Sequence, residues 1–155
     1  MKKIFSIILL LALITISRVH AQSYDEDRIV LANFVERLYN NNPFEGCRIL
    51  DDYDNKYLLS VVLLDPSKQK VKSAMNRTAQ IKSQRNAGEF VNGTQTYSEF
   101  VIKTPKGENR NSEENLSQTF DVIRSNSTGY IQQMQLLTTF EDEDHMKVYV
   151  FYKEL

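Results

Sequence analysis

The sequence predicts an α+β fold in which two helices pack on a largely antiparallel sheet of about six strands, in the order α-β-β-α-β-β-β-β. Two segments with apolar residues at helical spacing each precede a group of strand-like segments. One predicted strand is apolar at successive positions, which is typical of a strand covered on both faces. The last third of the chain alternates strand-like runs with polar turns, which favours a meander of hairpins on one sheet.

The N-terminal segment has the pattern of a secretory signal peptide. Two lysines precede an apolar run of about 13 residues, and Val19-His20-Ala21 places permissive residues before a cleavage point. A helix that spans a membrane needs about 20 apolar residues, so this run is too short for a permanent anchor. We therefore expect residues 1–21 to be removed after Ala21. A single α+β domain over residues 22–155 would then be periplasmic or secreted, with no membrane span.

The first helix of the predicted domain covers about 15 residues and starts at three consecutive acids, where negative charge suits the helix dipole. Asn40-Asn41-Asn42-Pro43 is expected to end it. Its apolar residues recur at helical spacing and predict one buried face. They are Ile29, Val30, Phe34, Val35 and Leu38.

Two strands, Cys47–Asp52 and Lys56–Leu64, are predicted to form a hairpin because the residues between them have turn chemistry. The second strand is apolar on both faces, so we expect it to lie near the centre of the sheet. Cys47 is the only cysteine. We interpret it as a small hydrophobic residue of the first strand rather than as a reactive thiol.

The second helix is predicted over roughly Lys68–Phe90 and is expected to end at Asn92-Gly93. Its apolar face should contain Val71, Ala74, Met75, Thr78 and Ile81. Six basic residues precede its first acid, in a chain whose residues 22–155 carry a net charge of −4. This asymmetry indicates either contact with an anionic surface or a solvated helix. The six are Lys68, Lys70, Lys72, Arg77, Lys82 and Arg85.

Four further strands are predicted in the C-terminal part of the chain. If both helices cover the same face of the sheet, Tyr149 and Phe151 on the last strand would be exposed. A contiguous exposed apolar patch usually marks an interaction site, so these two residues predict a homo-oligomer interface or a contact with an envelope protein. The strands are Thr94–Thr104, Leu116–Arg124, Tyr130–Phe140 and Met146–Tyr152.

The composition restricts the chemistry. With 19 basic and 20 acidic residues the chain is a poor general binder of nucleic acid. One cysteine excludes a Cys-rich zinc site and an internal disulfide framework. The run Glu141–His145 holds five consecutive candidate ligands, but calcium loops space their acids at alternate positions and include a glycine. We therefore expect no metal, no cofactor and no catalytic residues, since motifs for a nucleophile or a phosphate loop are also absent from the sequence.

Several short segments combine into a pattern with a known counterpart. It consists of Ala74-Met75-Asn76-Arg77-Thr78-Ala79 with Ala87, Val91-Asn92-Gly93 before Tyr97-Ser98, Thr128-Gly129-Tyr130-Ile131, and Lys147-Val148-Tyr149-Val150. Together with the signal-peptide pattern, it resembles the LPP20-type envelope proteins over about residues 56–152. The lipobox cysteine of many members is missing, so no lipid anchor is expected. The resemblance implies a small, non-catalytic α+β envelope domain and supplies no catalytic residues.

Two functions are consistent with these features. The first is an exported, non-enzymatic envelope module that binds another envelope component or itself. The alternative is a small ligand-binding protein or hydrolase whose site lies between helix and sheet. An exposed apolar sheet face would favour the first function, whereas a deep pocket with convergent polar groups would favour the second.

Overall fold

The computed structural model describes residues 26–52, 55–68, 71–93, 101–103 and 127–155. The chain forms two compact units, Met1–Asn42 and Pro43–Leu155. In the first unit, helix α1 occupies residues 26–41 and buries Val35 and Tyr39, which lie four residues apart on one side. Ile29 and Val30 lie well off that line and are exposed, so the predicted apolar face is correct for Val35 and wrong for the first turn.

The second unit contains a mixed sheet with the strand order β3-β1-β2-β5-β4. Three neighbouring pairs are antiparallel, and β1 and β3 are parallel. The described residues therefore confirm the α+β class with five strands, whereas the predicted strand Leu116–Arg124 lies outside them. The strands are β1 Gly46–Asp52, β2 Asn55–Leu64, β3 Val101–Lys103, β4 Gln135–Glu141 and β5 Lys147–Glu154.

The predicted first hairpin is confirmed, because β1 and β2 pair antiparallel from Gly46↔Val61 to Asp52↔Asn55. β2 is the central strand of the five, as its continuous apolar run predicts. Its side chains alternate between the two faces of the sheet, and both sets are buried. Leu58 and Val62 point to one face, Leu59 and Val61 point to the other, and all four are 0% exposed.

Helix α2 extends over Lys72–Asn92 and begins four residues later than predicted. Residues 66–68 form a turn instead, in which the Lys68 amide donates a hydrogen bond to the Asp65 carbonyl (3.2 Å). The residues that α2 buries recur every four positions, and we call them the inner row. They are Met75, Ala79, Ser83, Ala87 and Val91.

The predicted apolar face of α2 is therefore wrong at Val71, Ala74 and Ile81, whereas Met75 is buried and Thr78 is half-buried. Val71 and Ile81 are 61% and 57% exposed, and Ala74 is exposed as well. Three of the five inner-row residues are alanine or serine, and such short side chains let a helix lie close to a sheet. The side of α2 that is buried is therefore the side that lets the helix backbone pack close to the sheet. The hydrophobicity of the side chains alone does not identify that side.

The predicted strand Tyr130–Phe140 is wrong over its first part. Helix α3 occupies Ser127–Gln132, and β4 begins only at Gln135. The helical turn places Ile131 beside α2, with its Cδ1 atom 3.7 Å from the position of a Cβ built on Gly88. From this helical turn, Ile131 packs against the hydrophobic core. A strand with alternating side chains would not need this contact.

Tyr149 and Phe151 are core residues rather than an exposed patch. Their side chains are 2% and 4% exposed and pack in one cluster with Met75 and Ala79 of α2. The Tyr149 hydroxyl donates a hydrogen bond to Asn76 Oδ1 on α2 (3.1 Å). The sequence-based interface at these two residues is thus corrected, because α2 covers the face of β5 that was expected to be bare.

Candidate functional site

The outward side of α2 presents the largest group of predicted site residues that the structure places together. Arg77, Ile81 and Arg85 lie at four-residue spacing, two positions away from the inner row and therefore on the opposite side of the helix. Lys82 follows Ile81 in sequence and lies about 100° further around the helix, on its flank, and all four side chains are exposed. We call these four residues the cationic face.

The cations of this face differ in their partners. Arg85 Nε donates a hydrogen bond to Glu89 Oε1 at 2.7 Å, one turn further along the helix. This hydrogen bond, with the attraction of the carboxylate, raises the pKa of Arg85 above its ordinary value. Within the part of the chain that the structure describes, Arg77 and Lys82 form no ion pair. Arg77 and Lys82 thus differ from Arg85, which has an intrahelical partner in Glu89.

The other predicted cations lie away from this face. Lys72 is exposed at the first residue of α2, and Lys70 lies outside the described residues. Lys68 belongs to the preceding turn, where its Nζ atom is 3.4 Å from Asp65 Oδ2. Hydrogen bonds from Ser67 and then from Lys68 hold the pKa of Asp65 below its ordinary value. The structure thus brings together three of the six predicted cations.

Ile81 is the residue of this face that the sequence reasoning assigned to the core. Its side chain is 57% exposed between the two arginines. The four-residue repeat of small side chains could have revealed this, because a helix that buries residues 79 and 83 must turn residue 81 outward. Ile81 therefore places an exposed aliphatic side chain between the two arginines of this surface.

A small polar cluster lies under α2, between the helix and the sheet. Cys47 of β1 is paired with Ser60 of β2, and the Ser60 hydroxyl donates to the Ser83 carbonyl (3.4 Å). Ser83 is fully buried, and its own hydroxyl has no hydrogen-bond partner among the described residues. Burial raises the pKa of the Cys47 thiol to about 12, although the hydrogen bond with Ser60 acts in the opposite direction. Because the thiolate is the nucleophilic form, Cys47 is poorly suited to covalent chemistry.

The acidic hairpin between β4 and β5 uses its polar groups to form the turn. Asp142 Oδ1 accepts hydrogen bonds from the amides of Asp144 (3.1 Å) and Met146 (2.8 Å). His145 adopts a left-handed conformation with φ 59°, and its Nδ1 lies 2.8 Å from Glu141 Oε1. Within the described ranges, no group of three or more His, Cys, Asp and Glu side chains is arranged to hold a metal ion.

Comparisons with protein families, curated proteins and solved structures gave no match to this chain. None of the helices in the described ranges is both long enough and apolar enough to cross a membrane. The function of this chain is therefore inferred from the geometry of the cationic face.

Proposed function

We propose that this protein is an exported, non-enzymatic envelope module that binds another envelope component through the cationic face of α2. The signal-peptide pattern of residues 1–21 and the resemblance to LPP20-type envelope proteins support the compartment. The cationic face supports binding as the activity, because Arg77 and Lys82 form no ion pair with the residues that the structure describes, and Ile81 is exposed. Self-association through Tyr149 and Phe151 is not part of this proposal, because both side chains are buried.

The observation that carries the proposal is the combination of charge and exposure on the part of α2 that lies outside the inner row. Arg77 and Lys82 extend from a helix whose opposite side is fixed to the sheet by the inner row. A rigid element presents such groups with less loss of conformational freedom on binding than a loop would. Residues 22–155 are acidic overall, so cations collected on one helix mark a surface suited to an anionic partner.

The thiol under α2 supports a non-enzymatic role. Cys47 is 8% exposed and stays protonated at neutral pH, since the pKa of its thiol is raised to about 12. A thiol of this kind resembles an inert core residue rather than the exposed, electropositive cysteine of a thiol enzyme.

Export is tested by the N-terminus of the protein recovered after secretion. We expect mass spectrometry to find a chain that begins at Gln22. A mature protein that retains Met1 would contradict export by a cleaved signal peptide.

Binding is tested by co-sedimentation of the exported protein with an envelope preparation from the same cells. We expect the double variant Arg77→Gln with Lys82→Gln to lose most of this binding. The control double variant Arg37→Gln with Lys147→Gln removes the same charge from α1 and β5, and should bind like the wild type. Equal binding by both variants would overturn the assignment to the cationic face.

A further inference from the structure

We propose that the partner of the cationic face is the phosphate-bearing surface of an anionic lipid leaflet. This inference rests on the proposed function and names the chemical class of the partner. It starts from the four residues of the face, which combine charge with an exposed aliphatic side chain.

The spacing of the charges suits a flat array of phosphates. Arg77 and Arg85 lie eight residues apart, so their Cα atoms are separated by about 12 Å along the helix axis. A guanidinium group can donate two parallel hydrogen bonds to one phosphate, and the two arginines can therefore engage separate headgroups. A helix surface is convex, which favours a planar partner over a small ligand that needs a concave site.

Ile81 distinguishes a leaflet from a purely polar anionic partner. Its side chain is 57% exposed between the arginines, and Val71, just before α2, is 61% exposed. At a lipid surface the headgroup phosphates lie directly above the acyl chains, so cations and an aliphatic side chain on one helix side are both accommodated. The stem of Lys82 can lie along the apolar layer while its ammonium group stays among the headgroups.

The expected strength is modest and sensitive to salt. Each Lys or Arg held near an anionic leaflet strengthens binding about fivefold. Arg77 and Lys82 together should therefore contribute about 25-fold, and this contribution should fall as salt shortens the Debye length below about 10 Å. Glu89 holds Arg85 in an ion pair at 2.7 Å, so it should reduce the contribution of that arginine.

The test measures binding of the exported protein to two kinds of vesicle, phosphatidylcholine alone and an equal mixture with phosphatidylglycerol. We expect binding to the mixed vesicles only, a loss of about 25-fold in Arg77→Gln with Lys82→Gln, and no loss in the control Arg37→Gln with Lys147→Gln. Glu89→Gln should strengthen binding up to about fivefold, because it removes a negative charge from beside Arg85. A gain of function of this kind does not arise from a variant that merely misfolds.

The alternative outcomes separate the two proposals. If the protein sediments with envelope but shows no preference for phosphatidylglycerol, the lipid inference is overturned, and an acidic envelope protein becomes the partner of the same face. If it binds neither envelope nor vesicles, the proposed function fails together with the inference. Equal binding to both vesicle types would also overturn the inference, because the cations would then contribute nothing.

Discussion

On both sides of α2 the residues under comparison recur every four positions. One side must pack against the sheet, and the other side faces solvent. On the inner row Ala79, Ser83 and Ala87 are 0% exposed, whereas Ile81 on the cationic face is 57% exposed. Isoleucine is far more hydrophobic than serine, so hydrophobicity does not explain which side is buried. Short side chains allow close approach to β1, β2 and β5, and the free energy gained by that packing outweighs the cost of leaving one isoleucine in water. Changes on the inner row should therefore alter stability, and changes on the cationic face should alter binding.

The largest expected effect comes from enlarging the inner row. Ala79→Leu adds three carbon atoms where the native side chain is fully buried against the sheet. Overpacking of a dense core typically costs about 1–3 kcal/mol. Denaturant unfolding followed by circular dichroism should show this loss.

Ala74→Leu is the matched control for this variant. Ala74 lies on the same helix and is exposed, so the same enlargement should change the free energy of unfolding by less than about 0.5 kcal/mol. Equal losses in the two variants would show that α2 does not lie close to the sheet at residue 79.

The second prediction concerns the pH dependence that Cys47 gives to stability. The pKa of its thiol is raised to about 12 in the folded chain, against an ordinary value of 9.0. Because the folded pKa is the higher one, this contribution is complete below pH 9 and is lost as the pH rises from 9 toward 12. At pH 10 the loss is about 1 kcal/mol. Cys47→Ser removes the titration, so its free energy of unfolding should fall less steeply above pH 9.

The same residue offers a check by chemical modification. A buried thiol should react with a thiol reagent only in denaturant, and non-reducing gels should show no covalent dimer. Rapid labelling of the native protein at neutral pH would place Cys47 on an accessible surface and contradict its position under α2.

The third prediction lies on the flank of α2, between its two sides. Gly88 is inside the helix, and among the described residues a Cβ atom there would meet only Ile131 Cδ1 at 3.7 Å, an ordinary contact distance. Gly88→Ala should therefore stabilise the protein by about 0.5–1 kcal/mol, since alanine loses less conformational entropy on folding. Thermal unfolding should show a higher midpoint.

Gly46 is the contrasting glycine. It begins β1 with φ 104°, a conformation that side chains disfavour even though a Cβ there would meet no atom of the described part of the chain within 4 Å. Gly46→Ala should therefore destabilise the protein. If both alanine variants changed stability in the same direction, the backbone assignment at one of these glycines would be wrong.

The sheet was more predictable from the sequence than the helix surfaces. β1, β2 and β5 have apolar runs bounded by turn residues, and their limits lie within two residues of those predicted. The central position of β2 also followed from its apolar run. Pattern alone identifies such strands because their side chains have only two directions in which to point.

The candidate site was less predictable, for two physical reasons. The side of α2 that is buried depends on how closely the helix approaches the sheet, which is a tertiary property; Ile81 was misplaced for this reason. The predicted strand Tyr130–Phe140 alternates along its length, yet its first residues belong to α3, from which Ile131 packs on the core beside α2. The sequence showed an excess of basic residues in this segment. Only the structure showed which of them lie on the cationic face and which lie in the preceding turn.

The smallest expected effect is that of the ion pair on the cationic face. Arg85 and Glu89 form a 2.7 Å hydrogen bond, but their side chains are 76% and 62% exposed. Exposed pairs one helical turn apart contribute about 0.3–0.5 kcal/mol, because water and salt screen them. A double-mutant cycle of Arg85→Ala and Glu89→Ala should give a coupling energy in that range, and high salt should abolish it.

A coupling above about 1 kcal/mol that persisted in high salt would mean that this side of α2 stabilises the fold. A small coupling leaves Arg85 able to exchange Glu89 for an external phosphate at little cost in stability, as binding through the cationic face requires.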